Sequence, residues 1–179
     1  SSLKVQEIVV EEKLDMKVIY GVECYFADDT ARAFYGEGDG VLEEDEFVVF
    51  DIETTGLRSD KDAITEIGAV KVKNREIIDR FQTFVNPMRP IPRAITELTG
   101  ISDDMVKDAP TIDSALRDFY EFIGDAHLVA HNASFDTSFI RTKAKENGRE
   151  FGFTYIDTLE LARCTLSGLK NYKLDTLTK

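Results

Sequence analysis

Residues 47–57 read FVVFDIETTGL. The acidic residues at 43–46 give way to apolar ones at Phe47. Residues 47–50 form an uninterrupted apolar run, which is typical of a β-strand buried on both faces. The run ends at Asp51, and Glu53 follows two positions later, so both side chains share one face of an extended chain. The stretch therefore predicts two carboxylates side by side at the carboxyl end of a strand, where α/β sheets place their sites.

The chemistry of this carboxylate pair has two interpretations. Two carboxylates so close repel each other unless a cation or a proton compensates their charge. Mg²⁺ and Mn²⁺ prefer oxygen ligands, so Asp51 and Glu53 indicate a site for a divalent cation. The alternative is a strand that ends in a solvated turn, because Thr54-Thr55-Gly56 is good turn material. The motif alone leaves both interpretations open.

The pattern downstream of the turn predicts strands first and then strands that alternate with helices. Runs at 63–72 and 76–85 flank Lys73-Asn74-Arg75 as a β-hairpin, and three prolines make 86–92 an extended crossing segment. The later elements are a helix between Thr111 as N-cap and Gly124, a strand at 127–130, a helix from about Ala133 to Asn147, a strand at 155–156, and a helix opened by Asp157 with a spacing like that of a capping box. This order predicts a three-layer α/β fold with a mixed sheet.

A second polar cluster follows the predicted strand 127–130 and enters a helix. It reads His131-Asn132-Ala133-Ser134-Phe135-Asp136. Phe135 and Phe139 lie one helical turn apart and would point to the core. Asp136 falls in the first helical turn, where an acid is stabilised by the helix dipole, and a strand-end histidine is commonly satisfied by the backbone. Each residue of the cluster, taken singly, has an ordinary structural explanation.

The first 46 residues differ from the rest in composition. Strand-like runs at 3–10 and 17–26 precede a Gly- and acid-rich stretch, 27–46, which is typical of a linker, so we predict a domain boundary near Glu46. Residues 1–50 hold 13 acidic and 4 basic residues, whereas the other 129 hold 21 and 18. The net charge of −12 argues against binding nucleic acid through bulk positive charge, but most of it belongs to this leader.

Four motifs, in this order and spacing, resemble those of the DnaQ-like 3′-5′ exonucleases of the DEDDh group. They are DIETTGL at 51–57, ITEIGAV at 64–70, LTGI at 98–101 and AHNASFD at 130–136. The resemblance covers residues 47–179 and implies a ribonuclease-H-like α/β fold, in which helices flank a mixed sheet. The leader, 1–46, would be a small β-rich extension.

The resemblance implies a phosphodiesterase that uses two divalent cations, Mg²⁺ or Mn²⁺. Asp51, Glu53 and Asp136 would be three of the family's four metal-binding carboxylates. One ion would help to generate the attacking hydroxide, and the other would stabilise the leaving 3′-oxygen. The substrate would be a single-stranded 3′ end, and the products would be nucleoside 5′-monophosphates released from it. The residues expected to bind it are Thr54, Thr55 and Gly56 at the 3′-hydroxyl, Leu57 as a wedge beside the last base, and His131, Asn132 and Phe135 along the pocket.

The sequence departs from the family in its third motif. That motif, H-x-x-x-x-D, supplies the general base and the fourth carboxylate, and it is expected beyond Lys179. Tyr172 and Asp175 offer a substitute of the kind that a tyrosine-using branch employs. Their spacing is one residue shorter than that branch requires, so we favour the first interpretation.

The leader carries a weaker resemblance of its own. Residues 17–29 resemble a segment of the PHP domain of bacterial replicative polymerases, and Glu23 matches a metal-site position there. In the PolC type of DNA polymerase III, a proofreading exonuclease interrupts that domain. The resemblance implies proofreading of DNA synthesis, with the rest of the polymerase and its clamp as partners and a structural role for the leader. An unrelated β-hairpin extension is the alternative.

Two other functions remain open. The same catalytic centre suits a stand-alone RNA-trimming exonuclease, because it does not distinguish the two sugars. A non-catalytic nucleic-acid-binding or docking module could also keep the fold. Cys24 and Cys164 lie 140 positions apart, which fits neither a disulfide framework nor a structural zinc site. Because the sequence also lacks an apolar run long enough for a membrane span, we expect a cytoplasmic protein.

Overall fold

The computed structural model describes residues 33–36 and 45–178. These residues belong to one compact unit. The predicted strands at 3–10 and 17–26, and the PHP-like segment with Glu23, lie outside the described residues. The domain boundary near Glu46 stays a prediction.

The described residues form six strands in one mixed sheet. The strands are β1 (Phe34–Tyr35), β2 (Phe47–Thr54), β3 (Ile64–Lys73), β4 (Glu76–Phe84), β5 (His127–Ala130) and β6 (Tyr155–Asp157). Their order across the sheet is β1-β6-β5-β2-β3-β4. Strands β2, β5 and β6 run parallel, whereas β3 is antiparallel to β2. The carboxyl ends of β2, β5 and β6 therefore meet at one edge of the sheet.

Helices connect and cover these strands. They are α1 (Arg93–Thr99), α2 (Asp103–Val106), α3 (Ile112–Ile123), α4 (Ala133–Glu146), α5 (Thr158–Thr165) and α6 (Leu174–Leu177). The main core lies where α3 and α4 pack on the sheet, and there the rings of Phe50 and Phe119 lie 5.6 Å apart. Among the helices described, none combines the length and the apolar character that crossing a membrane requires.

The predicted mixed sheet with flanking helices is confirmed, with one correction at its centre. The apolar run 47–50 was expected to be buried on both faces, but Val49 is 40% exposed, and β2 runs from Phe47 to Thr54 with its faces alternating. Ile52 and Thr54 are buried while Asp51 is exposed, so the inward and outward alternation of a strand persists through the carboxylate motif. The carboxylates therefore lie on the strand itself rather than in a turn after it.

Three short elements were not predicted. Strand β1 lies in the stretch expected to be a linker, where it pairs with the edge of β6 and Tyr35 stacks on Tyr155 with ring centroids 4.6 Å apart. Helices α1 and α2 follow the crossing segment, and α1 has no buried residue of its own. A local hydrophobic pattern does not reveal such elements, because they depend on pairing with distant parts of the chain or present no apolar stripe.

The hairpin between β3 and β4 is confirmed at its predicted turn. Asn74 and Arg75 both have positive φ, at 53° and 66°. A two-residue turn with two positive φ values matches the right-handed twist of the flanking strands. This hairpin places β3 beside β2 along the full length of the carboxylate motif.

Gly100 of the LTGI motif gives a prediction about stability. It ends α1 with a φ of 79°, and an added Cβ would meet no atom within 4 Å. Gly100→Ala is therefore expected to destabilise the fold by about 1 kcal/mol through backbone strain alone. Urea unfolding measures the change. The control is Gly152→Ala, which also meets no atom within 4 Å and lacks the left-handed backbone. Equal losses in both variants would contradict the explanation.

Candidate active site

Asp136 is bonded to the strand that carries the other two predicted carboxylates. Its Oδ1 accepts the backbone N–H of Ile52 at 3.2 Å, although the two residues are 84 positions apart. Ile52 lies between Asp51 and Glu53, so Asp136 reaches the middle of the motif. The first turn of α4 carries Asp136, and the fully buried Phe139 of the same helix anchors it to the core. Packing of α4 on the sheet therefore brings the third carboxylate to the first two.

The pKa values of these three carboxylates are all displaced upward. Burial, followed by the charge of Asp51, raises the pKa of Asp136 from 3.8 to about 7. Burial also raises the pKa of Asp51. It raises the pKa of Glu53 as well, and the negative charge of Asp51 adds to that increase. Asp51 is exposed to solvent, so its carboxylate is only partly desolvated. Burial is the largest cause of all three shifts, and repulsion between neighbouring carboxylates adds to it, so a bound cation would favour the charged forms.

A fourth carboxylate, Glu66 of β3, stands beside the predicted three. It is paired directly with Glu53 across the β2–β3 ladder, so both side chains share one face. The charge of Glu66 raises the pKa of both Asp51 and Glu53. Gln82 donates to Glu66 Oε1 at 2.6 Å and orients it. Glu66 belongs to the ITEIGAV motif but was not predicted as a site residue, because its place beside Glu53 depends on the register of the two strands.

The donor chemistry of this cluster suits Mg²⁺ or Mn²⁺, since every candidate ligand is a carboxylate oxygen. Within residues 33–36 and 45–178, no three His, Cys, Asp or Glu side chains are grouped closely enough to hold a metal ion. The structure thus sets Asp136 against the backbone of the strand that carries Asp51 and Glu53 without forming a complete ligand cage. Their assignment as metal ligands stays a prediction.

The turn after β2 is held by its own threonines. Thr54 Oγ1 donates to the carbonyl oxygen of Gly56 at 2.6 Å. Thr55 exchanges two bonds with Ala63, donating its N–H at 2.8 Å and accepting at Oγ1 at 3.0 Å. A Cβ on Gly56 would lie 2.5 Å from the carboxylate of Asp62, which explains the glycine. Leu57 follows with 82% of its surface exposed. The four residues predicted to bind the terminal nucleotide thus stand directly after Glu53.

A pocket of about 590 Å³ opens beside Asp51, and His131 lies on its wall. Asn132, next to His131, is exposed and has a left-handed backbone with a φ of 62°. Phe135 is half-buried, and its ring lies 5.1 Å from that of Phe139, as predicted for a helix face turned to the core. The structure therefore places Asp51 and His131 on the same pocket, while the ring of Phe135 packs against the core.

The alternative pair Tyr172 and Asp175 is not arranged like the carboxylate cluster. The Tyr172 hydroxyl donates to the carbonyl oxygen of Leu166 at 3.0 Å. Asp175 is exposed in the first turn of α6. The same helix lines the pocket beside Asp51 with Leu174 and Leu177. The side of α6 that approaches the site is therefore apolar.

Comparison with known proteins gives a consistent family assignment. The model of the RNase T family, described as exonuclease, matches residues 48–179. DNA polymerase III PolC-type from Caldanaerobacter subterraneus subsp. tengcongensis is 58% identical over 162 residues, or 90% of this chain. The same protein from Bacillus subtilis is 48% identical over 170 residues, or 94% of this chain. The chain spans only 12% of the length of each of these relatives.

Solved structures agree with this assignment. Exonuclease X, in complex with 5′ overhanging duplex DNA, is 32% identical with a TM-score of 0.61, and the match covers 73% of this chain and 70% of that one. Apo exonuclease I has a TM-score of 0.66 at 15% identity, over 75% of this chain and 36% of that one. The second match concerns the fold alone, and both agree with the predicted ribonuclease-H-like fold.

Proposed function

Because this chain belongs to the RNase T family of exonucleases, we propose that it is the proofreading 3′-5′ exonuclease of a PolC-type replicative polymerase. The observation that supports the proposal is the bond from the Ile52 N–H to Asp136, which sets Asp136 against the backbone between Asp51 and Glu53 near the end of β2. The high identity to PolC-type polymerases supports a role in DNA replication.

The carboxylates would hold the cations that exonucleases of this family generally require. Two bound Mg²⁺ or Mn²⁺ ions would activate the attacking water and stabilise the leaving 3′-oxygen. Asp51, Glu53 and Asp136 supply the negative charge that binds them, and Glu66 adds to that charge from the neighbouring strand. Since the cations would meet the scissile phosphate, the protein needs no strongly basic surface there.

The residues around the carboxylates suit a terminal nucleotide. The backbone of 54–56 would hold the 3′-hydroxyl, and Leu57 would wedge beside the last base. His131 is proposed to line the other side of the pocket, with Asn132 beside it in the same turn, whereas the ring of Phe135, which packs against the core, would support that turn from behind. The substrate would be the single-stranded 3′ end of DNA, and the products nucleoside 5′-monophosphates. The rest of the polymerase and its clamp would be partners in the bacterial cytoplasm.

The direct test is nucleotide release by the full-length protein that carries this sequence. Single-stranded DNA labelled at its 3′ end is incubated with Mg²⁺ or Mn²⁺ and without deoxynucleoside triphosphates. We expect release of labelled 5′-mononucleotide that Asp51→Ala removes. The control is Asp79→Ala, an exposed aspartate on β4 near the hairpin turn. Absence of nucleotide release, or release that Asp51→Ala leaves unchanged, would contradict the proposal. Faster digestion of RNA than of DNA would instead favour the RNA-trimming alternative.

Leu57 gives a separate prediction about substrate binding. Because 82% of its surface is exposed, Leu57→Ala should change the free energy of unfolding by less than about 0.5 kcal/mol. If the side chain packs against the last base, KM for single-stranded DNA should rise about 5- to 30-fold. The control is Ile78→Ala, which removes a half-exposed apolar side chain at the far end of the sheet. An unchanged KM in Leu57→Ala would contradict the wedge.

A further inference from the structure

The turn at His131 and Asn132 joins β5 to α4 and needs support from outside itself. Asn132 has φ 62° and ψ 47°. Asparagine adopts this left-handed backbone more readily than other residues with a Cβ, so its identity suits the turn, but the angles alone do not fix where the turn lies. Asn132 is exposed, so packing of its own side chain does not hold it. The support comes from the junction between β6 and α5.

Asp157 holds the main chain of this turn. Asp157 is only 4% exposed, and its Oδ1 accepts the Asn132 N–H at 3.1 Å. The same oxygen accepts the N–H of Leu159 at 2.9 Å and of Glu160 at 3.5 Å. Those two groups belong to the first turn of α5 and have no partner within the helix. One buried oxygen thus ties the start of α5 to the pocket turn.

Thr158, the next residue, holds the ring of His131. Its Oγ1 lies 3.1 Å from His131 Nδ1 and 3.3 Å from the carbonyl oxygen of Ala130. A carbonyl oxygen can only accept, so the threonine hydroxyl donates to Ala130 when Nδ1 of the histidine carries the proton, and it can donate to Nδ1 when Nε2 carries it. In either tautomer Thr158 is bonded to the ring of His131, which lies on the pocket wall. Thr158 therefore orients a pocket residue.

We propose that Asp157 and Thr158 are positioning residues for the pocket beside Asp51: Asp157 acts through Asn132, and Thr158, which also lies on the pocket wall, acts through His131. The kinetic consequence rests on the proposed function, whereas the structural consequence for the turn does not. From its sequence pattern, Asp157 was predicted only to open a helix. Its contact with Asn132 spans 25 positions, and a capping-box spacing reports only on the helix that it opens.

The first test measures the turn without any substrate. In the full-length protein, hydrogen exchange of the segment containing the Asn132 amide is followed by mass spectrometry. Asp157→Ala removes the acceptor, so the amide should exchange about tenfold faster. Asp157→Asn keeps an Oδ1 and should stay near the wild-type rate. The control is Ile123→Val, which loosens the core at the end of α3 and should leave this amide unchanged. Wild-type exchange in Asp157→Ala, or equal acceleration in the control, would overturn the inference.

The second test measures the consequence for the substrate. Asp157→Ala and Thr158→Val should raise KM for single-stranded DNA about tenfold, with kcat changed less than about threefold. Asp157→Asn and Thr158→Ser keep the acceptor and the hydroxyl, so both should rescue KM. If Asp157→Ala does not fold, KM of Thr158→Val alone tests the pocket role. Valine matches threonine in shape, so this variant is expected to fold. An unchanged KM would overturn the pocket role. If the wild-type protein releases no nucleotide, the proposed function fails, while the exchange experiment still decides whether the turn is held as inferred.

Discussion

Asp136→Asn is expected to lower exonuclease activity by about 10³-fold or more while raising the stability of the metal-free protein at pH 8. Asparagine can still accept the Ile52 N–H, so the bond to β2 survives. It lacks the charge that would bind cations, and losing several kcal/mol of transition-state stabilisation corresponds to about three orders of magnitude. The same change removes a buried charge that Asp51 repels. Nucleotide release and urea unfolding in EDTA measure the two effects.

The matched control is Asp113→Asn, the same substitution in the first turn of another helix. Asp113 Oδ1 pairs with Arg149 at 3.0 Å, outside the carboxylate cluster. That variant should keep its activity and lose a little stability, so its stability should change in the opposite sense to Asp136→Asn. Retained activity in Asp136→Asn would refute the assigned role. A loss of stability equal to that of the control would refute the electrostatic explanation.

The second large effect is on pH dependence: the metal-free protein should become less stable as the pH rises from about 4 to about 8. The pKa of Asp136 is about 7 in the fold against 3.8 for the ordinary group. Between these two values the folded protein holds a proton that the unfolded chain has released. The contribution of this group to stability is therefore intact below about pH 4, falls until about pH 7, and is constant above. Its size is roughly a few kcal/mol.

Urea unfolding in EDTA at several pH values, on the wild type and on Asp136→Asn, isolates this group, because other titrating residues are common to both proteins. The difference between the two curves should grow from pH 4 to pH 7 in favour of the variant. Adding Mg²⁺ or Mn²⁺ at pH 8 should stabilise the wild type more than the variant, since a ligand that binds the folded state stabilises it. Parallel curves for the two proteins would contradict the shifted pKa.

Elements with strong local signals could be predicted from the sequence. The turn at Asn74 and Arg75 and the ends of α3 at Thr111 and Gly124 depend on residues that are neighbours in the chain. Backbone preferences and helix stops act over such short distances, so their positions in the structure agree with the prediction. Strand β1 was missed because its two residues become a strand only by pairing with β6, more than a hundred positions away.

In the candidate site, too, some features follow from neighbouring residues and others depend on tertiary contacts. The side-by-side placement of Asp51 and Glu53 follows from strand alternation, which is a property of consecutive residues. Three further features depend on register and packing: Asp136 against the Ile52 N–H, Glu66 opposite Glu53, and the carboxylate of Asp157 on Asn132. The antiparallel pairing of β2 with β3 sets Glu66 opposite Glu53, whereas the parallel alignment of β2, β5 and β6 and the packing of α4 produce the other two contacts. The sequence thus predicted three candidate carboxylates, while the tertiary structure decided which groups surround them and which groups are bonded to the turn at Asn132.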